Sequence, residues 1–239
     1  MRSFDDVPAS TSPAETHWFA GLLFDMDGTI IDSTNAIVKH WHSVGEELGV
    51  DPHVILAASH GRRTIDVIKL YDESKANWEY ASHVEQIIPE RYAADAVELP
   101  GSRELLLSLE EAKVPWLVVT SGTRGLVEAW FKVMRLPYPK KLVSAEDVKI
   151  GKPDPTCYRL GTERLGLDPE AAMLVLEDAP AGIRAGKAAG YKVVGLTTTH
   201  SSDQVKEAGA DWVLKDLSSV RYLGRDEKTG AVNIELSGA

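Results

Sequence analysis

The stretch Trp18-Phe19-Ala20-Gly21-Leu22-Leu23-Phe24 runs directly into Asp25-Met26-Asp27-Gly28-Thr29. A short apolar run that ends in two aspartates and a glycine is the pattern of a buried strand feeding a loop. Similar runs recur at Trp116–Thr120, Leu142–Ser144, Met173–Glu177, Lys192–Leu196 and Trp212–Leu214. Between them the apolar spacing becomes helical, as in Ser102–Ala112 (Leu105, Leu106, Leu109), Leu126–Val133, Tyr158–Leu165 and Ile183–Ala189. Parallel strands need long crossover connections, and these are usually helices. The alternation therefore predicts an α/β fold, a doubly wound parallel sheet with helices on both faces.

The region from about Ser33 to Leu99 has helical periodicity and few strand signals. Ile37, Trp41, Val44 and Leu48 share one helix face, Gly49 suits its C-terminal cap, and Val84, Ile87 and Ile88 mark another face. Trp41 reads as core at this spacing, with His42 beside it as a candidate for the inner side. The sheet pattern resumes after Pro100–Gly101. The expected organisation is a core from residues 17–33 and 97–239, with residues 34–96 inserted as a small helical cap over the carboxyl ends of the strands. Residues 1–16 are rich in Ser, Thr, Pro, Ala and acids without periodicity, which predicts a flexible tail. Near the C-terminus, Val232, Ile234 and Leu236 alternate after Thr229–Gly230, the pattern of a hairpin.

With 239 residues, 44% apolar and 26% charged, the chain has the make-up of an ordinary globular protein. A formal net charge of −10 disfavours non-specific binding to nucleic acid or an anionic membrane surface, so an anionic ligand would need a locally positive pocket. The single cysteine, Cys157, rules out an intrachain disulfide. Its apolar setting favours a buried structural thiol over a catalytic one. No run is long and apolar enough to span a bilayer, and the N-terminus lacks the basic and apolar regions of a secretory signal, so the cytosol is the expected compartment. A monomer is adequate to the pattern.

Four clusters could carry chemistry, and each also has a plain structural reading. Asp25-Met26-Asp27-Gly28-Thr29 places two carboxylates after an apolar strand, or simply ends it in a turn. Thr120-Ser121-Gly122 offers hydroxyls and amides to an anion, or simply caps a helix. Gly151-Lys152-Pro153-Asp154-Pro155 holds a lysine in a stiff loop, where a solvated surface lysine is the alternative. Glu177-Asp178, followed by Ala179-Pro180-Ala181-Gly182, suits a metal ion or a helix start. All four follow candidate strands or lie in a loop after one. In open α/β sheets that is where ligands bind. Hard oxygen donors suit Mg²⁺, and a lysine with a hydroxyl and amides suits a phosphate.

DMDGT, TSG, GKPDP and LEDAPAGIRAGKAAG, in that order, resemble the four motifs of the haloacid dehalogenase-like phosphatases from Gly21 to about Asp216. Within that superfamily, SHGRRT at Ser59–Thr64 together with TSGTR resembles the fungal glycerol-phosphate and 2-deoxyglucose-6-phosphate phosphatases. The resemblance implies hydrolysis of a small sugar or polyol phosphate. Asp25 would attack phosphorus to form an aspartyl-phosphate, and Asp27 would be acid and then base. Lys152 and Mg²⁺ would offset the repulsion between carboxylate and phosphate. The same resemblance assigns the metal to Asp25, the Asp27 carbonyl and Asp178, with Glu177 in support through water or from behind the direct ligands, and the phosphate to Thr120, Ser121 and Gly122. A carboxylate at Asp27 implies phosphatase rather than dehalogenase chemistry. His60, Gly61, Arg62 and Arg63, with Thr64, are expected to face the substrate from the cap, a solvated basic turn being the alternative. The glycerol phosphatases carry an aromatic residue where Arg62 stands, and Leu176 replaces a common phenylalanine. Two rivals stay open at this point: a sugar phosphomutase that returns the phosphoryl group to substrate, and a binding protein without turnover.

Overall fold

A computed structural model describes residues 14–59 and 61–238. Its centre is a six-stranded, wholly parallel sheet in the order β6-β5-β2-β7-β8-β9. The strands are β2 (Gly21–Phe24), β5 (Trp116–Val119), β6 (Leu142–Val143), β7 (Met173–Glu177), β8 (Lys192–Leu196) and β9 (Trp212–Leu214). Residues 116–119 and 173–177 are buried throughout, as strands covered on both faces must be. The pleat sends alternate residues to opposite layers. Leu22 and Phe24 join one core with Val118, Leu174 and Leu176, while Leu23 joins another with Leu117, Val119 and Val175. Helices α5 (Ser102–Glu111) and α6 (Arg124–Met134) supply Leu105, Leu109, Trp130 and Phe131 to the first core. Helices α7 (Thr156–Leu165) and α8 (Pro180–Ala188) supply Tyr158 and Ile183 to the second, and α9 (Ser202–Glu207) supplies Val205.

The apolar run Trp18–Phe24 is two strands rather than one. β1 (Glu15–Phe19) pairs antiparallel with β11 (Val232–Leu236), and the chain turns at Ala20 before β2 enters the parallel sheet. Trp18 is 53% exposed, so hydrophobicity alone misplaced it. Glu15 and Thr16 pair with Leu236 and Glu235, which removes them from the expected tail; residues 1–13 lie outside the described residues. β10 (Val220–Arg225) completes this three-stranded sheet, and the expected alternation holds, with Val232, Ile234 and Leu236 all buried.

Between β3 (Ile31–Asp32) and its antiparallel partner β4 (Val97–Glu98) lie α1 (Thr34–Leu48), α2 (Pro52–Ser59), α3 (Thr64–Ile68) and α4 (Trp78–Tyr92). They share a small core of their own from Trp41, Val44, Ile55, Val67, Ile68 and Val84. α1 ends at Gly49 in the left-handed region (φ 67°), where a glycine costs least. Its N-cap, Ser33, makes no side-chain cap bond because the hydroxyl is used by the site below.

Candidate active site

The carboxyl ends of β2, β5 and β7 deliver Asp25, Thr120 and Glu177-Asp178 to the floor of one cavity. Ile37, Val38, Trp41, Leu56 and Arg62 wall it from the helical segment. Lys152, from the loop after β6, reaches the floor carboxylates from within the core. Its Nζ donates to Asp25 Oδ1 at 2.5 Å, to Glu177 Oε1 at 2.6 Å and to the Val119 carbonyl at 3.1 Å. Residues 127 positions apart in sequence thus form one buried ion pair.

Carboxylate oxygens of Asp25, Glu177 and Asp178 all lie within 4.8 Å of one another, and all three residues are buried. Burial holds Asp25 well above the usual carboxylate range, with Glu177 and Asp178 adding to the effect and Lys152 opposing it. Burial and the neighbouring Glu177 push Asp178 up to about 7. Burial also opposes the charge on Lys152, but Asp25 and Glu177 outweigh it and hold the ammonium well above its ordinary range. One ammonium against three carboxylates leaves excess negative charge in a low-dielectric site. Hard oxygen donors in that arrangement fit a divalent cation.

The remaining oxygens fix the geometry. Glu177 accepts from Tyr158 Oη at 3.1 Å and from the Ala179 amide at 2.9 Å, so both of its oxygens are engaged by protein groups. Asp178 accepts from Thr29 and Thr199 hydroxyls. Gly28 approaches Asp178 closely, and a Cβ there would sit 2.3 Å from Oδ2. Asp27 lines the cavity, accepts from Ser33 Oγ at 2.5 Å and has its carboxyl raised by burial.

Of the expected anion seat, Thr120, Ser121 and Gly122 all line the cavity, but the Gly122 amide donates to Thr120 Oγ1 at 2.9 Å instead of pointing to a ligand. Ser121 Oγ donates to the Gly61 carbonyl at 3.0 Å, tying the loop to the helical segment. Gly61, Arg62 and Thr64 line the cavity, and His60 lies outside the described residues. Arg63 is a correction, since it is buried and turned away from the cavity, its guanidinium bound to Asp66 and to carbonyls of the core. Trp41 both packs in the helical core and lines the cavity. Cys157 is buried with its thiol pushed up to about 11 by that burial, which suits a structural role.

Residue-level reading missed Ser33, Glu85, Tyr158 and Thr199. Glu85, on α4, is buried against the cavity and accepts from the Thr123 amide at 2.6 Å; burial pushes it up to about 7. Charge at an otherwise apolar helix position was the available signal. Tyr158 had only an apolar pattern to show, and Ser33 looked like an ordinary helix start.

Comparison with known proteins agrees with this geometry. Residues 22–196 match the haloacid dehalogenase-like hydrolase family. Glycerol-1-phosphate phosphohydrolase 1 of Saccharomyces cerevisiae is 39% identical over 95% of this chain and 94% of its own. 2-Deoxyglucose-6-phosphate phosphatase 1 of the same yeast is 36% identical, covering 86% of this chain and 91% of its own. A hydrolase from Pseudomonas syringae has the same fold, with a TM-score of 0.70 at 24% identity over 83% of this chain and 94% of that one. With its parallel sheet, its ordered motifs and relatives of this closeness, the chain belongs to the haloacid dehalogenase-like hydrolase family and is a phosphatase.

Proposed function

We propose that the protein hydrolyses small sugar or polyol phosphate monoesters with Mg²⁺, through an aspartyl-phosphate on Asp25. The contact that carries this reading is the buried pair Asp25–Lys152 at 2.5 Å, beside Glu177 and Asp178 on a cavity floor. The relatives named for glycerol 1-phosphate and 2-deoxyglucose 6-phosphate support the substrate class. The walls from Ile37, Val38, Trp41 and Leu56 suit a small carbon skeleton, and residues 34–96 act as the cap that covers it.

In this mechanism Asp25 Oδ attacks phosphorus while the P–O bond to the leaving alkoxide breaks. Asp27, raised by burial and steadied by Ser33, gives the alkoxide its proton. The alcohol departs, water attacks the phosphorus of the acyl phosphate, and Asp27 takes the proton back. Inorganic phosphate leaves and Asp25 is restored. Lys152 holds Asp25 in line and places positive charge where negative charge gathers on the transferring oxygens, with the Thr120 loop seating the group. Asp25, the Asp27 carbonyl and Asp178 would hold Mg²⁺, and Glu177 would support the set through Lys152. Bound there, the ion supplies charge neutralisation and Lewis acidity.

The test is Asp25→Asn, assayed for phosphate release from glycerol phosphates, hexose and deoxyhexose 6-phosphates and polyol phosphates with Mg²⁺. The variant should fold and release no phosphate. Equal rates for variant and parent would reject Asp25 as the nucleophile, and isomerised sugar phosphate in place of free phosphate would turn the reading to a mutase.

A further inference from the structure

Arg63 sits in the helical segment but spends its guanidinium on the core. Nη1 donates to the Val148 carbonyl at 2.7 Å and the Ala145 carbonyl at 3.4 Å, and Nη2 donates to the Lys149 carbonyl at 3.1 Å. Nε and Nη2 also grip Asp66, at 2.7 and 2.8 Å. These bonds occupy the five N–H donors a guanidinium carries. Gly151 packs against the same group, since a Cβ there would lie 2.9 Å from Nε and 3.2 Å from Cδ. The residue is only 6% exposed.

The three carbonyls belong to the loop between β6 and α7, and that loop carries Lys152. Without Arg63, the carbonyls of the buried residues Ala145 and Val148 would lose this donor, and a buried carbonyl left unsatisfied is costly. The segment that aims the ammonium at Asp25 is therefore completed by a side chain from the other lobe. Two further bonds join the lobes on the same side of the cavity, Ser121 to Gly61 and the Thr123 amide to Glu85. If the helical segment lifted, Arg63 would leave with it and the loop would lose its three clamps together.

Building on the phosphatase reading, we propose that Arg63 is a positioning residue that makes the placement of Lys152 depend on closure of the helical segment over the sheet. Phosphoryl transfer then proceeds only in the closed arrangement, and an open enzyme, lacking an aimed ammonium, is slow towards bound substrate and water alike. Arg63 does not touch the substrate.

The test uses the full chain as Arg63→Ala, Arg63→Lys and Gly151→Ala, with 4-nitrophenyl phosphate and Mg²⁺, alongside amide hydrogen exchange of residues 145–152 without substrate. Arg63→Ala should lower kcat by about tenfold to a hundredfold, the scale of a misplaced catalytic group. KM should stay within about threefold, because no substrate contact is lost. Free guanidinium at tens of millimolar should restore part of that kcat, where sodium chloride of equal ionic strength does not. Arg63→Lys should stay impaired, since one ammonium cannot serve three carbonyls and a carboxylate in a plane. Exchange across 145–152 should quicken by about tenfold while β7 stays protected. Gly151→Ala, which crowds the guanidinium without removing it, should reproduce the kcat loss and decides the matter if Arg63→Ala does not fold. A raised KM with kcat intact would make Arg63 a substrate ligand and overturn the proposal, as would parent-like kcat with exchange unchanged. Failure of the parent to release phosphate from any ester would instead overturn the phosphatase reading, and the exchange data would still judge Arg63.

Discussion

Lys152→Met withdraws the ammonium while keeping much of the apolar stem, so it isolates charge from packing. In the parent, Nζ donates to Asp25 at 2.5 Å, Glu177 at 2.6 Å and the Val119 carbonyl at 3.1 Å, in a residue 7% exposed. Removing one partner of a buried pair costs about 3–5 kcal/mol. At about 2–4 °C per kcal/mol for a chain of this size, Tm should fall on the order of 10 °C at mildly alkaline pH. The pH dependence has a definite sign. Asp25 is already raised by burial and drawn down by Lys152, so the variant raises it further. A carboxyl raised in the folded state keeps a proton that the unfolded chain gives up, so its cost is absent below the unfolded pKa and accumulates as pH rises towards the folded value. The deficit of the variant relative to the parent should therefore shrink as pH falls, by up to about 1.4 kcal/mol per unit for one proton. The assay is thermal unfolding in chelator at several pH values, with phosphate release measured separately in Mg²⁺. kcat should drop by about a hundredfold to a thousandfold, the scale of losing one preorganised charge at a reacting oxyanion. A Tm deficit that is flat with pH, or larger in acid, would refute the coupling of Lys152 to Asp25. A kcat within about tenfold of the parent would refute its role in transfer.

Gly182→Ala would bring a Cβ to 1.5 Å from Glu177 Oε1, so the start of α8 and the acidic pair must separate. Thermal unfolding should show a loss of about 1–3 kcal/mol or more, and phosphate release should fall with it; parent-like behaviour in both would show that Glu177 is not fixed by this contact. Glu85→Gln removes a carboxyl that burial pushes up to about 7, and whose cost to the parent therefore develops as pH rises from the unfolded carboxyl range towards that value. The variant should gain Tm relative to the parent between about pH 5 and about pH 8, and a difference that does not change with pH would show that Glu85 titrates normally.

The sheet was legible because both of its signals are local. Met173–Glu177 and Lys192–Leu196 are apolar runs bounded by turns, and the observed strands have those same limits. The C-terminal hairpin was legible from strict alternation at Val232, Ile234 and Leu236. Asp25, Glu177 and Asp178 were legible as a group because each ends or follows an apolar strand run, and β2 and β7 lie side by side in the sheet, while Lys152 joins them from the loop after β6. The run at Trp18 misled because an apolar stretch does not show where a strand changes sheets, and Trp18 takes the solvent face of β1. Arg63 was misread for a related reason. Besides the nearby Asp66, its partners are backbone carbonyls 82 to 86 residues away, which leave no mark in side-chain identity. Two adjacent arginines look equivalent in sequence, and it is burial and the hydrogen bonds to the loop that separate the one that clamps it from the one that lines the cavity.

Charge balance explains why this site needs more than its lysine. Asp25, Glu177 and Asp178 converge within one buried cluster, with Asp27 and Glu85 on the same cavity, against the Lys152 ammonium bound to Asp25 and the Arg62 guanidinium on the wall. A phosphate ester would add to the negative side, in a protein whose formal charge is already −10. The raised carboxyls of Asp25 and Asp178 are the response of such a cluster when protons alone are at hand to relieve it. With Asp25 as the proposed nucleophile, relief by protons and catalysis exclude each other, because a protonated carboxyl attacks poorly. A divalent cation relieves the same repulsion and leaves Asp25 ionised, which is why the arrangement that makes the apo site costly also makes it selective for the charge its chemistry needs.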